Sequence, residues 1–236
     1  YMVTAIICIF MMYAGNILGT IITALLQLLP GLSAGNPILG YATDNALLPK
    51  VLFMVILAPV IEEYIFRKQL IDRMHIYGEK LAVITSALMF GLFHGNLSQF
   101  FYAFALGLVF GYVYLKTGKL RYSIGLHMLI NLIGSVIGPF FLEKIAVLDT
   151  METLDLAALE PIMPWLIGFG AYVLVLIGFA VTGLVLLCIN KRRVSFTLAE
   201  MELPKGSRFK TAYVNVGMIL LAVGCLALIV ASVMPL

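Results

Sequence analysis

The residues in this sequence that are able to do chemistry are few, and they lie inside long apolar stretches. Two adjacent glutamates, Glu62 and Glu63, are followed by two histidines, His94 and His127, and by Asn131. An ionisable side chain within a membrane span costs about 2.5–3.5 kcal/mol on insertion scales, so such groups usually face a protein interior and carry function. A buried carboxylate close to a histidine can act as a general base towards water. A histidine and an asparagine one helical turn apart can donate hydrogen bonds to an oxyanion.

Helical spacing also predicts how the other polar residues near the glutamates are used. Glu63 and Arg67 are four residues apart, so they share a helix face and can form an ion pair. Glu62 points about 100° away from Glu63 and is free to face a cavity. Phe90 lies one turn before His94, so these two rings should stack along one face.

The composition places most of this chain in lipid. Of its 236 residues 62% are hydrophobic and 11% are charged, with a mean hydropathy of +1.07, whereas soluble domains carry about 25% charged residues. The net charge is only +3, and no basic run is interleaved with aromatic residues, so we expect no nucleic-acid partner. The three cysteines lie far apart without CxxC spacing, which argues against a disulfide framework or a zinc ribbon.

Seven apolar stretches predict an all-α fold, a polytopic transmembrane helix bundle with the active site in its interior. The runs are continuous instead of alternating, which favours helices over barrel strands. We expect one integral membrane domain over residues 1–236. The predicted spans cover residues 2–29, 47–71, 81–95, 98–115, 122–142, 161–190 and 212–236.

The loops between these spans fall into two sets with very different charge. The loops that join spans two and three, four and five, and six and seven, together with the adjoining ends of these spans, carry thirteen of the fifteen Lys and Arg residues. The opposite set contains only Lys50 and Lys144, beside an acidic loop at residues 143–160 that we expect to be solvated. The positive-inside rule then places the first set, and the amino-terminal end of this chain, in the cytoplasm.

The order of these motifs resembles the CAAX protease and bacteriocin-processing (CPBP or Abi) family of intramembrane proteases, which includes the type II CAAX prenyl endopeptidases. That family has a double glutamate followed by three residues and an arginine, then FxxxH, then HxxxN or HxxxD. This sequence has EEYIFR at 62–67, FGLFH at 90–94 and HMLIN at 127–131. The resemblance covers about residues 47–135, which we take as the catalytic core.

The resemblance implies a glutamate-type intramembrane endopeptidase. Its catalytic residues would be Glu62 and His94, which activate water, and His127 and Asn131, which form the oxyanion hole. The supporting residues would be Glu63, Arg67 and Phe90. The implied partner is a hydrophobic, lipidated or precursor peptide that reaches the site from the bilayer. We expect the site to face the cytoplasm of a prokaryotic plasma membrane, and the oligomeric state is left open.

Three alternatives remain open from the residues alone. Glu62 with the two histidines is also a zinc ligand set of the thermolysin type. However, HExxH is absent and no two histidines share a helix face, so we expect no metal ligands and no cofactor, with zinc as the alternative. A buried carboxylate can also be the ion site of a transporter, although no inverted repeat is visible. The third alternative is a non-catalytic membrane scaffold.

Overall fold

The structure of the protein is a computed structural model that describes residues 1–32, 47–146, 148, 159–197 and 203–234. Within these ranges the chain is helical and forms no strand, which confirms the predicted all-α fold. Residues 33–46 lie outside the described ranges. Within the predicted acidic loop, residues 147 and 149–158 also lie outside these ranges, and they include Asp149, Glu152 and Asp155.

The described residues form eight helices, numbered in chain order. They are α1 (Met2–Gln27), α2 (residues 47–77), α3 (Glu79–Phe93), α4 (Leu97–Thr117), α5 (Leu120–Ile145), α6 (Met163–Asn190), α7 (Lys205–Tyr213) and α8 (Val216–Val233). Five of these, α1, α4, α5, α6 and α8, are long and apolar enough to cross a membrane. By contrast, α3 has only 15 residues and α2 carries several charges, so the count of seven spans stays a prediction.

The last predicted span begins later than the hydropathy indicated. Ala212 and Tyr213 belong to α7, and the chain breaks before α8 begins at Val216. Asn215 causes this break because its side chain caps the new helix, accepting a hydrogen bond from the backbone N–H of Met218 at 3.0 Å. Asparagine is among the preferred residues at a helix N-cap.

Helix α2 is not a regular α-helix. Its α-helical segment Ala58–Glu63 is flanked by two π-helical segments, Lys50–Leu57 and Tyr64–Ile71. A further π-helical segment, Leu132–Ile137, interrupts α5. π-helical turns are rare and occur frequently at functional sites. Their position next to Glu63 and Asn131 therefore indicates a candidate functional site in this part of the bundle.

Helix α4 packs closely against two neighbouring helices. Gly15 of α1 lies directly on the backbone of Tyr102, where an added Cβ atom would overlap it. On another face of α4, a Cβ atom at Gly107 would lie 2.9 Å from the Cα of Ala87 in α3. Small residues at such crossings allow helix backbones to approach closely. These contacts fix α4 between α1 and α3.

Candidate active site

The second glutamate of the pair is buried completely and its charge is matched by an arginine. Arg67 Nε lies 3.0 Å from Glu63 Oε2, and both side chains have no exposed surface. The ion pair predicted from the spacing is therefore present. Arg67 Nη1 also donates to Ser86 Oγ at 2.8 Å, and that hydroxyl donates onward to the carbonyl of Phe66. A buried charge pair needs such additional hydrogen bonds to offset its desolvation.

His127 of α5 lies between the two glutamates. Its Nδ1 is 3.2 Å from Glu63 Oε1, and its Nε2 is 3.6 Å from Glu62 Oε2. A carboxylate only accepts hydrogen bonds, so the contact with Glu63 places a proton on Nδ1. The distance to Glu62 is beyond hydrogen-bonding range. In the neutral ring, Nε2 is then a proton acceptor beside the first glutamate.

Phe90 is the packing centre of the site. The Arg67 guanidinium lies 4.7 Å from the centre of the Phe90 ring, a cation–π contact. The imidazoles of His94 and His127 meet the same ring edge to face, with centroid distances of 5.0 and 5.5 Å. Phe110 stacks on His127 from the other side at 5.3 Å. These contacts hold both imidazoles in fixed orientations.

His94 ends α3 and presents one ring nitrogen to a cavity. Its Nδ1 lies 2.8 Å from the backbone carbonyl of Phe90. Because that carbonyl only accepts, Nδ1 carries the proton and Nε2 of the neutral ring is a free base. Gly95 follows with a φ of +66°, which suits glycine, and the chain turns there into α4. This turn leaves His94 at the wall of the cavity.

The cavity has a volume of about 290 Å³ and collects the proposed catalytic side chains. This is at the lower end of the usual size of small-molecule sites, about 300–1,000 Å³. Glu62 and His127 line it together with His94 and Asn131. The Glu62 side chain retains 20% exposure, whereas Glu63 has none. Thus Glu62 is the glutamate that can reach a water molecule or a substrate.

Asn131 lines the cavity but is also engaged with the protein backbone. Its Nδ2 donates to the carbonyl of Met54 in α2 at 2.7 Å. An amide nitrogen carries two N–H groups, so one of them remains after this bond. The contact ties α5 to the first π-helical segment of α2. Asn131 therefore positions these two helices as well as contributing a donor at the site.

The structure adds three polar cavity residues that the motifs did not indicate: Gln99, Tyr102 and Ser135. Gln99 Nε2 donates to Tyr102 Oη at 2.8 Å, and Gln99 Oε1 accepts from Asn96 Nδ2 at 2.5 Å. Asn96 is the N-cap of α4 and accepts from the backbone N–H of Gln99. A sequence signal existed, since Asn followed three residues later by Gln resembles a capping box.

The donor set was tested for a metal. Both histidines have the outer contacts typical of zinc ligands, since the other ring nitrogen of each meets a carbonyl or a carboxylate. However, no three His, Cys, Asp or Glu side chains within the described part of the chain converge on one position that could hold an ion. As placed, these residues do not fit a metal centre.

The sequence of this region matches known proteases. Residues 44–133 match the family model described as Type II CAAX prenyl endopeptidase Rce1-like. The chain is also similar to the membrane-embedded CAAX protease MroQ of Staphylococcus aureus (strain USA300), with 31% identity over 104 residues. That alignment covers 40% of this chain and 42% of MroQ, so the likeness spans less than half of that relative. No solved structure matches the chain.

The residues matched by the family model include all of the predicted catalytic and supporting residues. Glu62, the buried Glu63–Arg67 pair, His94 and His127 all lie between residues 44 and 133. Phe90 and Asn131, which complete the motifs, lie within the same range. The geometry of the cavity and the two sequence matches thus concern the same segment, and this segment is similar to CAAX proteases.

Proposed function

We propose that this protein is an intramembrane endopeptidase that hydrolyses a peptide bond of a hydrophobic, lipidated or precursor peptide. The observation that carries the proposal is the 290 Å³ cavity, in which a half-buried glutamate faces two histidines of fixed orientation. The similarity of the same segment to CAAX proteases supports a proteolytic reaction.

In the proposed mechanism, Glu62 and His94 activate water. The carboxylate of Glu62 and the free Nε2 of His94 are both acceptors at the cavity wall. As the water oxygen attacks the carbonyl carbon of the scissile bond, its proton passes to Glu62. The same proton is then given to the leaving amine as the C–N bond breaks. General acid–base catalysis of this kind contributes about 10²–10⁴-fold in rate.

The developing oxyanion is assigned to His127 and Asn131. Asn131 has a remaining amide N–H at the cavity, as the bond to Met54 uses only one. His127 donates from Nε2 only when its ring is doubly protonated, because Nδ1 is directed at Glu63. The positive ring would then lie beside the negative charge of the intermediate. Each lost donor of this type costs about 10²–10³-fold in rate.

The buried ion pair supports these groups without reaching the substrate. Glu63 accepts from His127 Nδ1 and is itself held by Arg67. Arg67 in turn packs on Phe90, which contacts both imidazoles. We assign Glu63, Arg67 and Phe90 as positioning residues. The charge distribution of the loops supports a site that faces the cytoplasm.

The test compares histidine and glutamate variants in proteoliposomes with two probes, a farnesylated CAAX peptide and a non-prenylated apolar peptide. Glu62→Gln and His94→Ala should each reduce cleavage by at least about 10²-fold. The matched control is His75→Ala, since His75 is the third histidine of the chain and is exposed at the end of α2. Full cleavage by the Glu62→Gln protein would refute the proposal.

The probes also define the substrate. Cleavage of only the farnesylated peptide would assign the enzyme to prenylated proteins, whereas cleavage of both would favour apolar precursor peptides. Comparison of the peptides in cells that carry wild-type protein or Glu62→Gln would then identify the natural substrate. If neither probe nor any cellular peptide depends on Glu62, flux measurements in the same proteoliposomes test the transporter alternative, and recovery of a stable partner complex tests the scaffold.

A zinc-dependent protease is a second candidate because both histidines have the outer contacts of zinc ligands. We propose metal-independent chemistry instead, as the three side chains do not converge. The two are separated by metal analysis of the purified protein and by activity after dialysis against a chelator. Retained activity with less than stoichiometric metal supports the glutamate mechanism, and loss that zinc restores supports the metalloprotease.

A further inference from the structure

A second and larger cavity lies away from the candidate active site. It has a volume of about 700 Å³ and shares no lining residue with the catalytic cavity. Its deep wall is apolar and comes from α1 and α4, with Ile7, Met11, Phe104 and Leu108. The cavity lies where α1 and α3 begin and where α4 and α6 end, so these four termini meet at its mouth.

The mouth of this cavity is cationic. Lys80, Lys116 and Arg193 line it, and all three are exposed. Lys116 is neutralised by Glu79, with a distance of 2.6 Å between Nζ and Oε2. The side chains of Lys80 and Arg193 make no hydrogen bond or ion pair with any other residue of the described ranges. Within the described part of the chain, two positive charges are thus unpaired at the mouth of an apolar cavity.

The depth of the cavity matches one leaflet of a bilayer. Along α1 it extends from Val3 to Met11, and along α4 from Lys116 to Phe104. At about 1.5 Å per residue these distances are roughly 12 and 18 Å. Half of a bilayer's hydrocarbon core is about 15 Å thick. The cavity is therefore long enough to hold a hydrocarbon chain from the interface to near the bilayer centre.

We propose that this cavity binds an anionic phospholipid, with the phosphate at Lys80 and Arg193 and an acyl chain between α1 and α4. Basic pockets between transmembrane helices are known to bind lipid headgroups. The cationic mouth selects this occupant over a zwitterionic lipid, which brings no net charge, and over an uncharged prenyl chain. The bound lipid would join α1 and α6 to the α3–α4 pair.

The test uses a tryptophan placed in the cavity. Trp165 is the sole tryptophan of the chain, so the double variant Trp165→Phe, Phe104→Trp reports on the cavity wall. Its fluorescence is followed in bilayers of phosphatidylcholine that contain increasing amounts of lipid brominated on the acyl chains. The two probes are brominated phosphatidylglycerol and brominated phosphatidylcholine. We expect phosphatidylglycerol to quench at a lower mole fraction, by roughly fivefold for each available cation at the mouth.

Two further variants on this background identify the source of the preference. Lys80→Gln with Arg193→Gln should abolish it. Lys119→Gln with Arg121→Gln should preserve it, because these residues carry the same charge but do not line the cavity.

Equal quenching by the two brominated lipids in the reporter protein would overturn the proposal, and that comparison stands even if the charge variants fail to fold. Loss of the preference in both variant pairs would also overturn it, since general surface charge would then suffice. Equal quenching that is relieved by farnesol would overturn it in favour of a prenyl chain as the occupant.

Discussion

Removal of Arg67 tests whether the buried ion pair organises the site. The substitution Arg67→Met keeps an unbranched side chain but leaves Glu63 buried without its cation. It also removes the donor to Ser86 and the cation–π contact with Phe90. Breaking a buried pair by removing one partner costs about 3–5 kcal/mol. We expect the lower end of this range, because His127 still contacts Glu63 at 3.2 Å.

Lys68, the residue that follows Arg67 in the chain, provides a matched control. Lys68 pairs with Asp72 at the same four-residue spacing on the same helix, but these side chains are 52% and 39% exposed. Solvent screens such a pair, so Lys68→Met should change stability far less than Arg67→Met. The two substitutions remove one positive charge each at adjacent positions, and they differ in burial and in the buried contacts that Arg67 makes with Ser86 and Phe90.

A double-mutant cycle completes the argument. Glu63→Gln alone leaves Arg67 buried and unpaired, whereas Glu63→Gln with Arg67→Met removes both charges. The double variant should therefore be more stable than the sum of the single effects predicts, by about 1–3 kcal/mol.

Unfolding can be followed in SDS titrations by the labelling of Cys8, which is fully buried in the folded protein. Cys188, which is exposed, and Cys225, which is buried in another helix, would be replaced by alanine beforehand so that Cys8 alone is labelled. An Arg67→Met cost no larger than that of Lys68→Met would contradict an organising role for the buried pair, and so would single-variant effects that add without coupling.

Three further predictions concern packing, the cavity wall and pH. Gly15→Ala places a methyl group on the backbone of Tyr102 and should destabilise the protein by about 1–3 kcal/mol in the same titration, whereas Gly178→Ala, with no atom within 4 Å of the added methyl group, should be neutral. Tyr102→Phe removes a cavity hydroxyl and should lower the cleavage rate by about 3–10-fold; it should also cost about 1–3 kcal/mol of stability because Gln99 Nε2 loses its acceptor, as measured by peptide hydrolysis and unfolding. Burial alone would raise the pKa of Glu79, but hydrogen bonds from Lys116 and a backbone amide lower it below its ordinary value. The stabilisation of the fold by the Glu79 carboxylate is therefore present above the ordinary glutamate pKa of about 4.3 and is lost as the pH falls through the lower folded value. The unfolding midpoints of wild type and Glu79→Gln should thus converge in acid.

Local sequence signals predicted most of the helices. Continuous apolar runs located the long helices to within a few residues, because hydropathy and helix caps are local properties. The break at Asn215 was missed because the apolar run continues through Ala212 and Tyr213, and a single capping residue outweighs it. The π-helical segments of α2 and α5 were also missed, since sequence periodicity assumes a regular α-helix.

The site was predictable where partners lie one turn apart on one helix. The pair of Glu63 and Arg67 follows from spacing alone. Tyr102 could not be found in this way, because its place at the cavity depends on the approach of Gly15 from a helix about ninety positions earlier in the chain. The turn after His94 is likewise set by both its own glycine and the cap that begins α4.

The position of His127 changes how the two glutamates should be understood. Their 100° separation on a helix predicted that Glu62 and Glu63 serve different partners, yet one imidazole meets both. Because Nδ1 is directed at Glu63, any proton that leaves Glu62 for this ring must go to Nε2, and the resulting positive charge is shared with the Glu63–Arg67 pair. In the proposed mechanism, this contact would link the buried pair to the imidazole that is assigned to the oxyanion. It is the route by which Glu63, which has no exposed surface, would act on a reaction beside Glu62.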